Sequence, residues 1–168
     1  DLMYRHWDHT VMEIPHSFIA DFSPKAAVSV IPETSIDILA GEPANYELPT
    51  EPFSGIEQLD WSPDGKFIAY SCRKVTGKKY AFSTNTEIYI YNVETAETAV
   101  IDMKGGYDTD PVWSPDGAKI CWVSMERDGY EADKQRLMVA SVTWNEGSMP
   151  AISDIKDITA GFKYNVSG

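Results

Sequence analysis

The residues best suited to chemistry lie between positions 126 and 133, where Glu126, Asp128, Glu131 and Asp133 crowd carboxylates around Arg127. Carboxylates grouped in this way can accept charge-assisted hydrogen bonds from an ammonium group, including the free amino end of a peptide. Glu126 is the first candidate for such a contact, Glu131 the second, and Asp128 lies between them. The same residues also suit a solvated loop with local ion pairs. Arg5, Trp7 and Asp8 form another candidate binding set, for which an Arg–Asp pair packed on tryptophan is the structural alternative. A loop of opposite charge carries Arg73, Lys74, Lys78 and Lys79.

Other chemistries find less support. His6, His9 and His16 suggest zinc, but no cysteine or clustered carboxylate completes a ligand set, so surface or packing histidines are expected, with no metal and no cofactor. Cys72 and Cys121 lack the C-x-x-C spacing of a redox or metal site and read as two free, mostly buried thiols. Asn165-Val166-Ser167 matches a glycosylation acceptor, a pattern short enough to arise by chance. A net charge of −12 argues against binding nucleic acid through its phosphates. No apolar run approaches the roughly 18 residues that a membrane-spanning helix needs. The 168 residues, 43% of them hydrophobic, suit one ordinary globular domain. A start at Asp1 without methionine points to a processed or truncated chain, and a periplasmic or secreted location is favoured over a cytoplasmic one.

The elements that must position the charged loops are fixed by a repeat. Trp61-Ser62-Pro63-Asp64-Gly65 returns as Trp113-Ser114-Pro115-Asp116-Gly117, 52 positions later. Proline presets φ for the second position of a type I turn, aspartate suits the third, and glycine supplies the left-handed residue that closes a short hairpin. Ser62 and Ser114 stand where a hydroxyl can accept a backbone hydrogen bond. Each tryptophan ends an inner strand and is expected to fill space between neighbouring sheets, with ligand stacking as the other option. A strand-based repeat of this length is the signature of β-propeller blades of four antiparallel strands.

The first blade reads as Gln58–Trp61, Lys66–Cys72, a polar loop to about Thr84, Glu87–Val93 and Thr98–Asp102. Gly105-Gly106 marks the crossing, and the second reads as Pro111–Trp113, Lys119–Ser124, a loop from Met125 to Gln135, Arg136–Val142 and Ile155–Thr159. Ahead of them Leu2–Trp7, Ser17–Phe22 and Ser35–Leu39 read as strands of a partial blade. The divisions expected are a partial blade over about 1–54, blades over 55–103 and 104–160, and the lead-in to another over 161–168. Closed propellers need roughly four to eight blades, so an incomplete propeller is expected. Further blades of the same polypeptide, or another copy of the chain, would complete it.

The repeat resembles those of TolB-like proteins and of the prolyl oligopeptidase family of serine peptidases. Three further stretches narrow the likeness: Leu2-Met3-Tyr4-Arg5-His6-Trp7-Asp8, Tyr107-Asp108-Thr109-Asp110-Pro111-Val112-Trp113, and Met125 through Lys134. Together they resemble the N-terminal propeller of bacterial acylaminoacyl-peptidase or dipeptidyl-peptidase-like members. The resemblance implies a propeller that caps a C-terminal α/β-hydrolase domain, restricts access to its Ser-Asp-His triad and helps hold the amino end of a short peptide. No Gly-x-Ser-x-Gly nucleophile elbow occurs in these residues, and no serine is followed by an aspartate and then a histidine. The segment is therefore expected to be noncatalytic, with a TolB-like protein-interaction propeller as the other reading.

Overall fold

The computed structural model describes residues 13–25, 27, 30–50, 55–130 and 132–166. The expected strand over 2–7 and the candidates Arg5, Trp7, Asp8 and Glu131 lie outside the described residues. The described residues are all-β apart from a 3-10 turn at Ile56–Gln58 and one helical turn, α1, at Lys79–Phe82. A hairpin pairs β1 (Phe18–Phe22) with β2 (Val30–Asp37). Two four-stranded antiparallel sheets follow, each with its strands side by side in chain order. The first holds β3 (Leu59–Trp61), β4 (Phe67–Cys72), β5 (Glu87–Asn92) and β6 (Thr98–Ile101). The second holds β7 (Tyr107–Trp113), β8 (Lys119–Met125), β9 (Arg136–Thr143) and β10 (Ala151–Asp157). The sheets do not close on themselves, an arrangement that fits part of a propeller.

Both repeat turns have one construction. Gly65 and Gly117 take φ of 71° and 68°, in the left-handed region that favours glycine. Ser62 Oγ accepts the Phe67 N–H at 2.9 Å and donates to Asp64 Oδ1 at 2.6 Å, while that carboxylate accepts the Lys66 N–H at 3.1 Å. Ser114, Asp116, Ala118 and Lys119 reproduce these bonds. Pro63 and Pro115 stand at the positions the turn reserves for a residue with preset φ. The serine hydrogen bonds hold both Asp64 and Asp116 below the usual carboxylate range, against the residual burial of Asp64.

The tryptophans do not share a fate. Trp113 is 5% exposed and Trp61 is 50% exposed, so the expectation of packing is met only at the second copy. Trp113 stacks at 5.3 Å against Trp144, the residue after β9, which in turn lies 5.2 Å from Phe67 of the neighbouring sheet. The residue after β5 is Val93, and no ring among the described residues reaches Trp61 in that way.

Every residue of β4 is buried, because both faces of the first sheet are covered. One face meets the second sheet through Phe67, Ile88, Ile90, Trp113, Ile120 and Trp122. Burying each such side chain contributes about 1.5–3 kcal/mol. The other face packs Ile68, Tyr70, Cys72 and Tyr91 against Ile38, Leu39 and Leu48. Cys72 and Cys121 are both free thiols, fully buried and half-buried respectively. Burial raises both thiols, and that of Cys72 reaches about 12.

Several strand boundaries differ from expectation, and β2 begins at Val30 rather than Ser35. β7 begins at Tyr107, not Pro111, and its pairing with β8 shifts register between Thr109 and Val112 around Asp110, whose φ is 54°. The bulge accommodates Pro111, which has no N–H to offer the ladder. β10 begins at Ala151, not Ile155, with a comparable register shift between Ser153 and Lys156 and Asp154 at φ 53°. β2 ends at Asp37 rather than Leu39, because the Asp37 carboxylate accepts the Leu39 N–H at 2.9 Å and turns Ile38 and Leu39 into the core.

Candidate functional site

The meander order sorts the loops onto two edges. The repeat turns and the connections 93–97 and 144–150 occupy one. The loops 73–86 and 126–135, with the crossing at 102–106 and the segment 158–165, occupy the other. Glu126 and Asp128 therefore stand on the edge opposite the tryptophan turns.

Glu126 directly follows β8, and a close backbone approach fixes its place. Gly106 has φ of 112°, and a Cβ there would lie 2.2 Å from the Met125 carbonyl oxygen and 3.1 Å from that of Glu126. Glycine is thus required for the crossing to lie against this stretch. The Glu126 side chain is 77% exposed, and its Oε2 stands 3.5 Å from an Nη of Arg136. A carboxylate held at one side by a guanidinium and otherwise open to water can accept an incoming ammonium.

Asp128 is engaged elsewhere. Its carboxylate accepts hydrogen bonds from Ser83 Oγ at 2.9 and 3.0 Å, from the Thr84 N–H at 2.7 Å and from the Asn85 N–H at 3.1 Å. The Gly129 N–H returns a bond to Thr84 Oγ1 at 2.9 Å. These contacts clasp the loop of the second sheet to that of the first, so Asp128 fastens the edge. Arg127 and Asp133 form a bidentate pair, and the guanidinium lies 4.0 Å from the Tyr130 ring centroid. The Arg127 hydrogen bond holds the Asp133 carboxyl below its usual range. Three of the four clustered carboxylates are described, and Glu126 alone among them points an oxygen at no neighbour closer than 3.5 Å.

The basic loop serves a comparable structural end. Arg73 bonds Glu47 at 3.1 Å and covers Tyr80 at 4.0 Å, while Lys74 pairs with Glu42 and lies 4.0 Å from the Tyr89 ring. His16 pairs with Asp37 at 2.7 Å. Among the described residues no group of three or more His, Cys, Asp and Glu side chains could hold a metal, and no helix is long and apolar enough to cross a membrane.

Sequence reasoning missed the support behind Glu126. Arg136, at the start of β9, donates from Nη2 to Ser124 Oγ at 3.1 Å. Ser124 stands opposite Asp108 in the β7–β8 register. Asp108 is completely buried, accepts Trp122 Nε1–H at 2.9 Å, and joins the first sheet through Thr86, whose Oγ1 bonds its carbonyl at 2.7 Å. Burial raises its carboxyl to about 7; the Glu87 charge adds to the rise, and Ser124, Trp122 and Arg136 oppose it. The available signal was an aspartate within a strand stretch otherwise bound for the core.

No family model matches the chain. It is 53% identical over 143 residues to dipeptidyl-peptidase 5 of Porphyromonas gingivalis, a match covering 84% of this chain and 20% of that protein. Dipeptidyl-peptidase 5 of Porphyromonas endodontalis is 44% identical over 140 residues, 83% of this chain and 19% of that protein. Dipeptidyl-peptidase 5 of Aspergillus oryzae is 30% identical over 166 residues, 89% of this chain and 22% of that protein. The chain spans about a fifth of the length of these relatives. It is therefore similar, over most of its own length, to a short portion of proteins named dipeptidyl-peptidase 5.

Proposed function

We propose that this chain is the noncatalytic propeller portion of a serine peptidase that cleaves short peptides, where it limits access and helps hold the substrate's free amino end. The reading rests on the exposed carboxylate of Glu126, set on the two-sheet edge with the Arg136 guanidinium 3.5 Å away. The names of the relatives support peptidase chemistry, and these residues hold no nucleophile elbow, so this reading gives bond cleavage to other parts of the polypeptide. Further blades and an α/β-hydrolase domain of the same polypeptide, or another copy of the chain, complete the assembly.

The test is Glu126→Gln in the full-length polypeptide, comparing kcat/KM for matched peptides with free and blocked amino ends. Loss of one charge-assisted hydrogen bond lowers the free-over-blocked preference by about tenfold or more. An unchanged preference removes Glu126 from the site and this reading with it.

A further inference from the structure

Asp108 Oδ2 and Arg136 Nε are both buried without a hydrogen-bond partner. Ser124 stands between their side chains. Its hydroxyl takes the Arg136 Nη2–H at 3.1 Å, and its strand position faces Asp108. The other end of the same guanidinium reaches Glu126 at 3.5 Å. Arg136 thus lies between a buried carboxyl and an exposed carboxylate.

We propose that Asp108 and Glu126 compete for Arg136, so that Asp108 acts as a positioning residue that sets how much of the Glu126 charge is available to a peptide's ammonium group. The inference rests on the reading of Glu126 as the amino-end acceptor. With Asp108 neutral, Arg136 faces Glu126 together with the more distant charges of Asp133 and Asp157, and an incoming ammonium must compete with it at Glu126. When Asp108 ionises, the guanidinium is drawn inward, where an unpartnered Oδ2 and an unpartnered Nε both gain from the approach. Glu126 is then released to the substrate. The burial that carries the Asp108 carboxyl to about 7 places this exchange near neutrality.

The groups packed around Asp108 are consistent with a single controlling cation. β5 contributes Glu87, whose carboxylate accepts the Met103 N–H at 3.0 Å. β9 contributes Arg136. From β3, Asp60 accepts the Trp113 N–H at 2.8 Å, and Glu57 ahead of it acts on Asp110. On β7 itself Asp110 bonds the Thr109 hydroxyl at 2.9 Å. The titratable groups of β4, Tyr70 and Cys72, belong to the core on the far face of the first sheet. On β8, Trp122 and Ser124 face Asp108 and carry no charge, while Lys119 and Cys121 lie at positions farther along the strand.

The test compares the full-length polypeptide with its Asp108→Asn, Arg136→Gln and Glu126→Gln variants. The readout is the ratio of kcat/KM for free and blocked peptides between about pH 5 and about pH 9, a range that spans the α-amino group's own titration. Because every protein sees the same substrate, that titration cancels in the comparison. The expected result is a ratio that rises about tenfold more in the wild type than in Asp108→Asn across neutrality, the size of one charge-assisted contact. Arg136→Gln, in which this guanidinium no longer competes, gives a higher ratio than the wild type on the acid side and the same ratio on the alkaline side, and keeps the inference testable if Asp108→Asn does not fold. An Asp108→Asn profile equal to the wild type, or a fall in the ratio for Arg136→Gln, overturns the competition while leaving Glu126 in place. If Glu126→Gln leaves the ratio unchanged, the amino-end reading itself fails and the competition falls with it.

Discussion

The two Trp-Ser-Pro-Asp-Gly turns share sequence and hydrogen bonds, with the aspartate accepting a backbone N–H at 3.1 Å in one and 3.0 Å in the other. Their tryptophans nevertheless stand in different surroundings, Trp113 packed between sheets and Trp61 half in water. Local chemistry therefore dictates the turn, and the next element in space decides what the large side chain contributes. The same division separates the two faces of the sheets. Both faces of the first are covered, whereas beside the second Val112, Ile155, Ile158, Phe162 and Tyr164 remain exposed.

Replacing the tryptophans breaks the comparison most directly. Trp113→Ala is expected to destabilise the fold by about 3–5 kcal/mol, as for other large buried aromatics. Trp61→Ala is expected to cost about 1 kcal/mol or less in the segment as described, because half its surface is already solvated. Urea unfolding of both variants measures the difference. Equal losses would mean that Trp61 is covered in the complete polypeptide as Trp113 is here.

The seam between the sheets gives the next effect. Burial raises the Asp108 carboxyl from the usual carboxylate range to about 7, so the folded state binds its proton more tightly. Its contribution is full below about pH 4 and is lost as pH rises to about 7, at about 1.4 kcal/mol per unit. Asp108→Asn removes that slope, which unfolding measured across the window reports. A smaller effect is expected at the clasp: Asp128→Ala costs about 1–3 kcal/mol through the lost bonds to residues 83–85. Faster hydrogen exchange at the Thr84, Asn85 and Gly129 amides is its signature. Smallest and equal are Ser62→Ala and Ser114→Ala, each about 1 kcal/mol. A marked inequality between them would show that the two turns differ in energy despite matching geometry.

Much of this architecture was legible in the residues. β4, β5, β8 and β9 announce themselves through runs of β-branched and aromatic side chains, and the turns through proline and glycine at fixed offsets. The bulges at Asp110 and Asp154 were not, because they place aspartate at positive φ without a glycine to mark it. The candidate site was readable only in composition. That Asp128 fastens Ser83, Thr84 and Asn85 while Glu126 stays open depends on how two sheets stack, a relation across more than forty residues that no local pattern encodes. The placing of Ser124 between Asp108 and Arg136 depends on strand register in the same way.

If the two sheets are neighbouring blades of a larger propeller, as proposed, the two thiols report on it. Cys72 is sealed beneath Leu39 and Leu48. Ile120 and Trp122 point into the core between the sheets, so Cys121 between them faces the opposite side of the second sheet. Thiol labelling of the native full-length polypeptide, read by mass spectrometry of the labelled peptides, compares the two directly. Another blade over that face leaves Cys121 as unreactive as Cys72 until the protein unfolds; a Cys121 that labels at the rate of a free thiol in the native state contradicts the account.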